Sequence, residues 1–344
     1  MSSIKEHSSE LNQDELVKDK EIGRSDFSVV FSGTYRGRKV AIKEIINCHQ
    51  TTPQASDSDF DRYIMLMEKS HHGAIVEFIG AVFAAGKQAI VTEFCEYGSL
   101  NEAMDEYLEE FNELMKVKCL LDVSSAMCYL HNESIMHRDL KPQNVLIVSM
   151  NPRTSAVVAK LTDFGTSRRE ERIKCVLSTG TGIDPFMAPE LLRRSTTYDK
   201  SIDVYSFSML MYYIFAEKLP TADSSLSKGA DPYGLIICGK RPSIPATCSR
   251  DIGKVMQQCW DGDAMKRPSF EQIHRLLRDY WVLRMYGKDG VAARQNALSL
   301  IDTMNLDRAE ELIWRIGGRT EFSVLCELLK ANAIPTKRLA FKGK

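Results

Sequence analysis

The sequence predicts an α+β fold with two lobes, a small β-rich lobe followed by a larger α-helical lobe, and a helical C-terminal extension. Residues 17–93 contain short runs of β-branched and aromatic residues separated by glycines, which is typical of strands joined by turns. After Gly98 the apolar residues recur at helical spacing over long stretches, which predicts helices. Residues 93–98 connect the two regions.

The composition is that of an ordinary globular protein. The chain has 344 residues, of which 44% are hydrophobic and 26% charged, and its formal net charge is −1. This length allows two domains of roughly 150 residues each, and the near-neutral charge gives no reason to expect a nucleic-acid partner. The N-terminus is polar and the apolar runs are too short to cross a bilayer, which predicts a cytoplasmic protein. The nine cysteines include no Cys-x-x-Cys pair, and we expect them to be free thiols.

The small lobe is predicted to begin after a flexible polar segment over residues 1–16. Its strands are expected in the runs VVFSGTYRG, KVAIKEII, AIVEFIGAVFA and QAIVTEF. One helix is predicted between the second and third runs, because Ser56-Asp57-Ser58 is a capping-type start. Apolar side chains follow it at i, i+3, i+4 and i+7, namely Phe60, Tyr63, Ile64 and Met67.

The larger lobe is predicted to be mainly helical. Helices are expected over 100–115, 116–131, 203–217, 251–260 and 269–284, and the strand-like runs VLIVS and AVVAKLTDF lie between the second and third helices. Residues 285–344 show an amphipathic pattern that predicts a helical tail. The pattern leaves open whether this tail packs for stability, docks on the preceding lobes, recruits a partner or mediates self-association.

Three short blocks carry the chemistry. His137-Arg138-Asp139-Leu140-Lys141-Pro142-Gln143-Asn144 is followed, nineteen residues beyond Asn144, by Asp163-Phe164-Gly165, and then by Ala188-Pro189-Glu190. In this order they resemble the catalytic loop, the metal-binding turn and the end of the activation segment of eukaryotic protein kinases. The resemblance covers residues 17–284 and implies the two-lobed protein kinase fold, with an N-lobe over 17–93, a hinge over 93–98 and a C-lobe over 99–284.

The resemblance implies phosphoryl transfer from ATP with Mg²⁺. In that reaction positioning and electrostatic stabilisation supply most of the catalysis. Asp139 is expected to accept the proton of the substrate hydroxyl, and Lys141 to meet the charge of the γ-phosphate. Asn144 and Asp163 are expected to bind Mg²⁺, since both offer the hard oxygen ligands that this ion prefers.

Further matches place the chain within the superfamily. Lys141-Pro142 resembles serine/threonine kinases rather than tyrosine kinases, and Cys259-Trp260-Asp261 resembles the tyrosine-kinase-like group. Asp203 resembles the aspartate that anchors the backbone of the catalytic loop. Arg267 resembles the arginine that pairs with the glutamate of the Ala-Pro-Glu block, here Glu190.

The resemblance also assigns the ATP site. Lys43, in Val40-Ala41-Ile42-Lys43, matches the strand lysine that contacts the α- and β-phosphates. Thr92 is expected behind the adenine, and the backbone of 93–95 at its edge. The predicted nucleotide contacts are Ile22, Gly23, Val30, Ala41, Lys43, Thr92, Glu93, Cys95 and Leu146.

The small lobe departs from the family pattern in two places. Ser25 and Ser28 replace the second and third glycines of the phosphate loop, so a weaker grip on phosphate is expected, because glycine lets the backbone approach most closely. Tyr63 stands where the family has the glutamate that pairs with Lys43. Its phenol could accept a hydrogen bond from Lys43, and Glu68, one turn further along, is an alternative carboxylate partner.

The activation segment also deviates. Thr181 is separated from Phe186 by four residues instead of the two that are usual in the family. Ser178 and Thr179 are candidate phosphorylation sites, and Arg138 is the expected partner of such a phosphate, because a guanidinium binds phosphate in a bidentate manner.

Two functions remain open from the sequence. The first is a serine/threonine kinase that transfers the ATP γ-phosphate to protein substrates in intracellular signalling. The alternative is a nucleotide-binding pseudokinase that acts as a scaffold or allosteric partner, as Tyr63 and the phosphate-loop serines suggest. The complete set Asp139, Lys141, Asn144 and Asp163 favours the first.

Overall fold

The computed structural model describes residues 9–25, 28–46, 57–84, 87–164, 184–193, 198–227 and 231–285. The chain divides into two units after His274; of the second unit, residues 275–285 are described and are helical. The predicted tail beyond residue 285 and the predicted modification sites Ser178, Thr179 and Thr181 lie outside the described residues. Within the described residues, no helix is both long and apolar enough to cross a membrane.

In the described part of the small lobe, five strands form one antiparallel sheet in the order β1-β2-β3-β5-β4. Helix α1 lies between β3 and β4 along the chain and packs on β4. The elements are β1 (Leu16–Arg24), β2 (Ser28–Tyr35), β3 (Arg38–Ile45), α1 (Asp57–Lys69), β4 (Phe78–Ala84) and β5 (Lys87–Glu93).

The hairpin between β2 and β3 sets the register of the sheet. Arg36 and Gly37 both have positive φ, +50° and +77°, as a two-residue turn of type I′ requires. On β3 the side chains alternate between the two faces, so Val40 and Ile42 are fully buried in the core. Ala41 therefore projects to the opposite face, where the site lies.

Two strands differ from the sequence prediction. Strand β1 has the sequence LVKDKEIGR and is exposed along most of its length, so it lacks the apolar alternation by which strands are recognised. The predicted run over 74–84 becomes a strand only at Phe78. Ile75 instead forms an isolated bridge with Leu161 of the larger lobe.

The predicted flexible segment 1–16 includes residues that pair with the sheet. Leu11 N donates to the Ala81 carbonyl and Ala81 N donates to the Ser9 carbonyl, each at 2.9 Å, which adds a short parallel bridge at the edge of β4. The side chain of Leu11 lies over Gly80. Leu11 and Leu16 pack against the core formed by Val40, Ile42, Val82, Ala89 and Val91.

The larger lobe is mainly helical, as predicted. Its elements are α2 (Leu100–Tyr107), α3 (Glu113–Asn132), β6 (Val145–Asn151), β7 (Ala156–Leu161), α4 (Pro189–Leu192), α5 (Ser201–Ala216), α6 (Ser224–Ser227), α7 (Pro232–Ile237) and α8 (Arg250–Cys259), followed by helical backbone over 270–285. Strands β6 and β7 pair antiparallel. Helix α5 is central, and Tyr205, Phe207 and Tyr212 on it are fully buried.

The first two helices of this lobe are divided earlier than predicted. The sequence predicted a boundary between residues 115 and 116, whereas α2 ends at Tyr107 and α3 begins at Glu113. The reason is Asn112, whose side chain accepts a hydrogen bond from Met115 N and so caps the start of α3.

Candidate active site

Asp203, at the start of α5, anchors the catalytic loop. Its carboxylate is fully buried and accepts hydrogen bonds from His137 N at 2.9 Å, Arg138 N at 2.8 Å and His131 Nε2 at 2.9 Å. Burial acts to raise the pKa of Asp203, but the hydrogen bonds outweigh it, and the pKa lies below its ordinary value. These bonds hold Arg138 at a φ of +66°, a conformation that non-glycine residues adopt at a cost.

His137 connects the catalytic loop to the segment that leads to Asp163. Its Nδ1 accepts a hydrogen bond from Asp139 N at 3.1 Å, so the proton of the neutral ring is on Nε2. Nε2 donates to the Thr162 carbonyl at 3.0 Å. The backbone of the residue next to Asp163 is thus tied to the backbone of Asp139.

The structure brings Asp139, Lys141 and Asn144 together. Lys141 Nζ lies 3.0 Å from Asp139 Oδ1, and Asn144 Nδ2 donates to the Asp139 carbonyl at 2.7 Å. The second bond fixes which end of the buried Asn144 amide is the oxygen. In addition, Thr162 N donates to the Asn144 carbonyl at 3.0 Å, which places Asn144 beside the turn that carries Asp163.

Asp163 is the carboxylate partner of Lys43. Lys43 Nζ lies 2.6 Å from both Oδ1 and Oδ2 of Asp163. Burial disfavours the carboxylate, but the charge and hydrogen bonds of Lys43 more than offset this, and the pKa of Asp163 is lowered. Asp163 has a φ of +60°, so the turn holds its carboxylate in a strained backbone conformation.

Tyr63 faces the same carboxylate. Its side chain is buried, and its hydroxyl lies 3.5 Å from Asp163 Oδ1, toward which it donates. Burial raises the pKa of Tyr63 well above its ordinary value, and the charge of Asp163 adds to the effect, so the phenol stays neutral. The sequence offered Tyr63 as an acceptor for Lys43 and Glu68 as a stand-in carboxylate. The structure gives the carboxylate role to Asp163.

The predicted nucleotide contacts of the small lobe lie on neighbouring strands. Gly23 is opposite Val30 across β1 and β2, Val30 is opposite Lys43 across β2 and β3, and Ala41 is opposite Thr92 across β3 and β5. Ile22 precedes Gly23 on β1. The sheet register therefore places on neighbouring strands residues that are far apart in the sequence, such as Ala41 and Thr92.

The predicted hinge is joined to strand β6 of the larger lobe by hydrogen bonds. Tyr97 N donates to the Ile147 carbonyl, and Ile147 N donates to the Gly98 carbonyl at 2.8 Å, so Leu146 on β6 is held beside the hinge. Cys95 is buried, and this burial raises the pKa of its thiol to about 12.

One hinge contact was not predicted. The Glu93 carboxylate accepts hydrogen bonds from Lys160 Nζ at 2.5 Å and from Glu77 N at 2.7 Å. Lys160 is on β7, where a lone lysine in a strand-like run gives no sequence signal of a partner 67 residues away.

The serines of the phosphate loop bind each other. Ser25 N donates to the Ser28 carbonyl at 2.8 Å, and the two hydroxyls lie 2.9 Å apart. Ser28 N also donates to Ser25 Oγ at 3.1 Å. The replacements for glycine therefore close the base of the loop with side-chain hydrogen bonds that glycine cannot make.

The end of the activation segment is fixed by a buried ion pair. Arg267 Nη1 and Nη2 donate to Glu190 at 2.6 and 2.9 Å, as the sequence predicted. Arg267 Nη1 also donates to the Ser201 carbonyl at 3.1 Å. The pair thus joins α4 to the start of α5, the helix that anchors the catalytic loop.

The model of the protein tyrosine and serine/threonine kinase family matches residues 16–277. The chain belongs to the protein kinase family. The match covers both lobes, and it confirms the resemblance drawn from the catalytic-loop, metal-turn and activation-segment blocks.

Several curated relatives of this kinase chain are named as serine/threonine kinases. It is 32% identical over 266 residues to the probable serine/threonine-protein kinase gdt2 of Dictyostelium discoideum, covering 77% of this chain and 16% of the relative. It is 34% identical over 271 residues to the serine/threonine-protein kinase VIK of Arabidopsis thaliana, covering 74% of this chain and 58% of that protein. It is 30% identical over 284 residues to the serine/threonine-protein kinase STY17 of the same plant, covering 81% of this chain and 47% of that protein. The match therefore spans less than two thirds of each of these relatives.

Proposed function

We propose that this chain transfers the γ-phosphate of ATP to serine and threonine hydroxyls of proteins. The observation that carries the proposal is the catalytic loop: Asp139, Lys141 and Asn144 are joined by hydrogen bonds and an ion pair, and the loop is anchored on buried Asp203. Such positioning is the main contribution that a protein makes to phosphoryl transfer.

Each residue has a role that its surroundings support. Asp139 accepts the proton of the acceptor hydroxyl and directs its oxygen at the phosphate. Lys141, beside Asp139, compensates the negative charge of the transferred group. The Asn144 amide oxygen and the Asp163 carboxylate, which is ionised because its pKa is lowered, fit Mg²⁺. When bound, Mg²⁺ neutralises charge on the phosphates.

The pair of Lys43 and Asp163 implies an exchange of partners on nucleotide binding. In the structure the two side chains neutralise each other at 2.6 Å. Lys43 is proposed to move to the α- and β-phosphates, while Asp163 becomes available to Mg²⁺. Tyr63, whose hydroxyl already faces Asp163, remains as a neutral hydrogen-bond donor for this carboxylate.

The alternative is a nucleotide-binding pseudokinase that acts as a scaffold or allosteric partner. It is favoured by Tyr63 in place of a glutamate and by Ser25 and Ser28, which bind each other at the base of the phosphate loop. For both functions we also propose that the protein acts in cytoplasmic signalling. The C-terminal tail is then the proposed docking segment for a partner.

The proposal is tested by phosphate transfer from radiolabelled ATP and Mg²⁺ to a generic protein substrate. Asp139→Asn should lower the rate by at least about 100-fold, since a positioned general base contributes this much or more. Asp251→Asn is the matched control, because this side chain is 72% exposed on α8. Equal and negligible transfer by the wild type and Asp139→Asn would leave the scaffold function, and hydrolysis of the product would show whether serine, threonine or tyrosine was labelled.

A second measurement separates the two alternatives further. Lys43→Met should weaken binding of ATP, because it removes the cation that meets the phosphates. A wild type that binds ATP without transferring phosphate would support the nucleotide-binding pseudokinase. A wild type that transfers phosphate would exclude it.

A further inference from the structure

Asp184 shares Lys141 with Asp139. Lys141 Nζ lies 3.0 Å from Asp139 Oδ1 and 3.6 Å from Asp184 Oδ2. One ammonium group thus stands between two carboxylates, and the proposed acceptor site is at one of them. The three side chains are each less than one fifth exposed, so their charges are only partly screened by water.

The orientation of Asp184 is fixed by its own turn. Its Oδ1 accepts a hydrogen bond from Phe186 N at 2.9 Å, and its carbonyl accepts one from Met187 N at 3.1 Å. Phe186 is buried, and the centroid of its ring lies 6.2 Å from the centroid of the Tyr213 ring. Because Oδ1 is used by the turn, Oδ2 is the oxygen that faces Lys141.

Tyr233, on α7, lies near the carboxylate of Asp184. Tyr233 is on this helix, and burial raises its pKa, with the negative charges of Asp184 and Asp231 adding to the effect. Asp231 caps the same helix through a hydrogen bond from Tyr233 N. Asp184 and Asp231 are therefore both close enough to Tyr233 to affect its hydroxyl.

We propose that Asp184 is a specificity-determining residue that selects protein acceptors with a lysine or arginine directly beside the phosphorylated residue. This inference rests on the proposed phosphotransferase activity. When Lys141 turns to the γ-phosphate, Asp184 and Asp139 lose part of their shared counter-charge. A basic side chain of the substrate replaces it at Asp184, and a rise of roughly 3.3 Å per residue in an extended peptide puts the adjacent residue within reach.

The test uses serine peptides that differ only in the residue directly before or directly after the serine, which is lysine, glutamine or glutamate. The wild type should have a kcat/KM about tenfold higher for a lysine peptide than for the matching glutamate peptide, because like charges brought together disfavour the complex. The preference should weaken at high salt, since the groups are partly exposed.

Asp184→Asn is the decisive variant. Asparagine keeps an oxygen that can accept the hydrogen bond from Phe186 N but removes the charge, so the turn is preserved and the preference for lysine should be lost mainly through KM. Asp231→Asn, which likewise keeps its cap, should change the preference less, since Asp231 does not contact Lys141 among the described ion pairs. Asp184→Lys should reverse the preference in favour of the glutamate peptide.

The outcomes distinguish the two proposals. Phosphate transfer with equal kcat/KM for lysine and glutamate peptides, or an unchanged preference in Asp184→Asn, would refute the role of Asp184 and leave the kinase activity standing. A wild type that phosphorylates neither peptides nor proteins would refute both.

Discussion

Glu190→Gln should destabilise the kinase domain strongly. The variant keeps the shape of the side chain but removes the charge opposite Arg267, whose side chain is 0% exposed. Arg267 would then be a buried cation that retains its bonds to the Ser201 and Asp261 carbonyls but has lost its ionised partner. Breaking a buried ion pair at one side costs about 3–5 kcal/mol, and we expect a loss of this size in the free energy of unfolding.

The chain supplies a matched control in Arg38 and Glu77. This pair is also bidentate, with distances of 3.1 and 2.5 Å, but the side chains are 50% and 53% exposed. Exposed ion pairs contribute about 0–1 kcal/mol, so Glu77→Gln should lower the free energy of unfolding by no more than about 1 kcal/mol. The two variants therefore differ in burial and share their hydrogen-bond chemistry.

The assay is urea unfolding of the wild type and the two variants at neutral pH, with the free energy extrapolated to water. If the slope m is the same in a variant as in the wild type, unfolding exposes the same amount of additional surface in both proteins. Equal losses in Glu190→Gln and Glu77→Gln would refute the reasoning, because burial would then have no effect. The double variant Arg267→Met with Glu190→Leu should be more stable than Glu190→Gln, since it leaves no buried charge.

Three further predictions follow from other parts of the structure. Gly80→Ala places a Cβ that overlaps the Leu11 side chain and lies 2.6 Å from the Ser9 carbonyl. The variant should displace the segment that contains Ser9 and Leu11, lower the free energy of unfolding by about 1–3 kcal/mol and speed hydrogen exchange at the Leu11 amide. Unchanged protection of that amide from exchange would contradict this prediction. The pKa of Asp203 is lowered in the folded protein, so the stabilisation by its carboxylate is present above about pH 4 and is lost as the pH falls further. Urea unfolding at several acidic pH values should show that the free energy of unfolding decreases with falling pH, and that this decrease is smaller in Asp203→Asn. Cys95, with a thiol pKa of about 12, should resist iodoacetamide at pH 8 while exposed Cys238 reacts, and equal labelling by mass spectrometry would disprove this.

The sequence predicted the elements whose signals are local. The strands that contain Val40 and Val91 are apolar on the buried face, and α5 is apolar all round, so both were found from composition and periodicity. Strand β1 was missed because it is mostly charged and exposed. Its place in the sheet comes from backbone pairing with β2, which leaves no pattern in its side chains.

The candidate site divides in the same way. Asp139, Lys141 and Asn144 lie in one short block of the chain, and the resemblance of that block to the catalytic loop of protein kinases predicted that they act together. The anchoring of this loop by Asp203 was predicted from the same resemblance, and no local sequence pattern indicated it.

Only the tertiary structure decided which charges meet. Lys43 binds Asp163, 120 residues further along the chain, where the sequence had pointed to the helix that carries Tyr63. In the same way, Lys141 is shared with Asp184, and Leu11 fills the space above Gly80. Ion pairs and close packing of this kind depend on distances between separate elements, which the order of residues does not contain. The sequence by itself determined the kinase fold and its catalytic loop, and the folded lobes determined the partners of each charge.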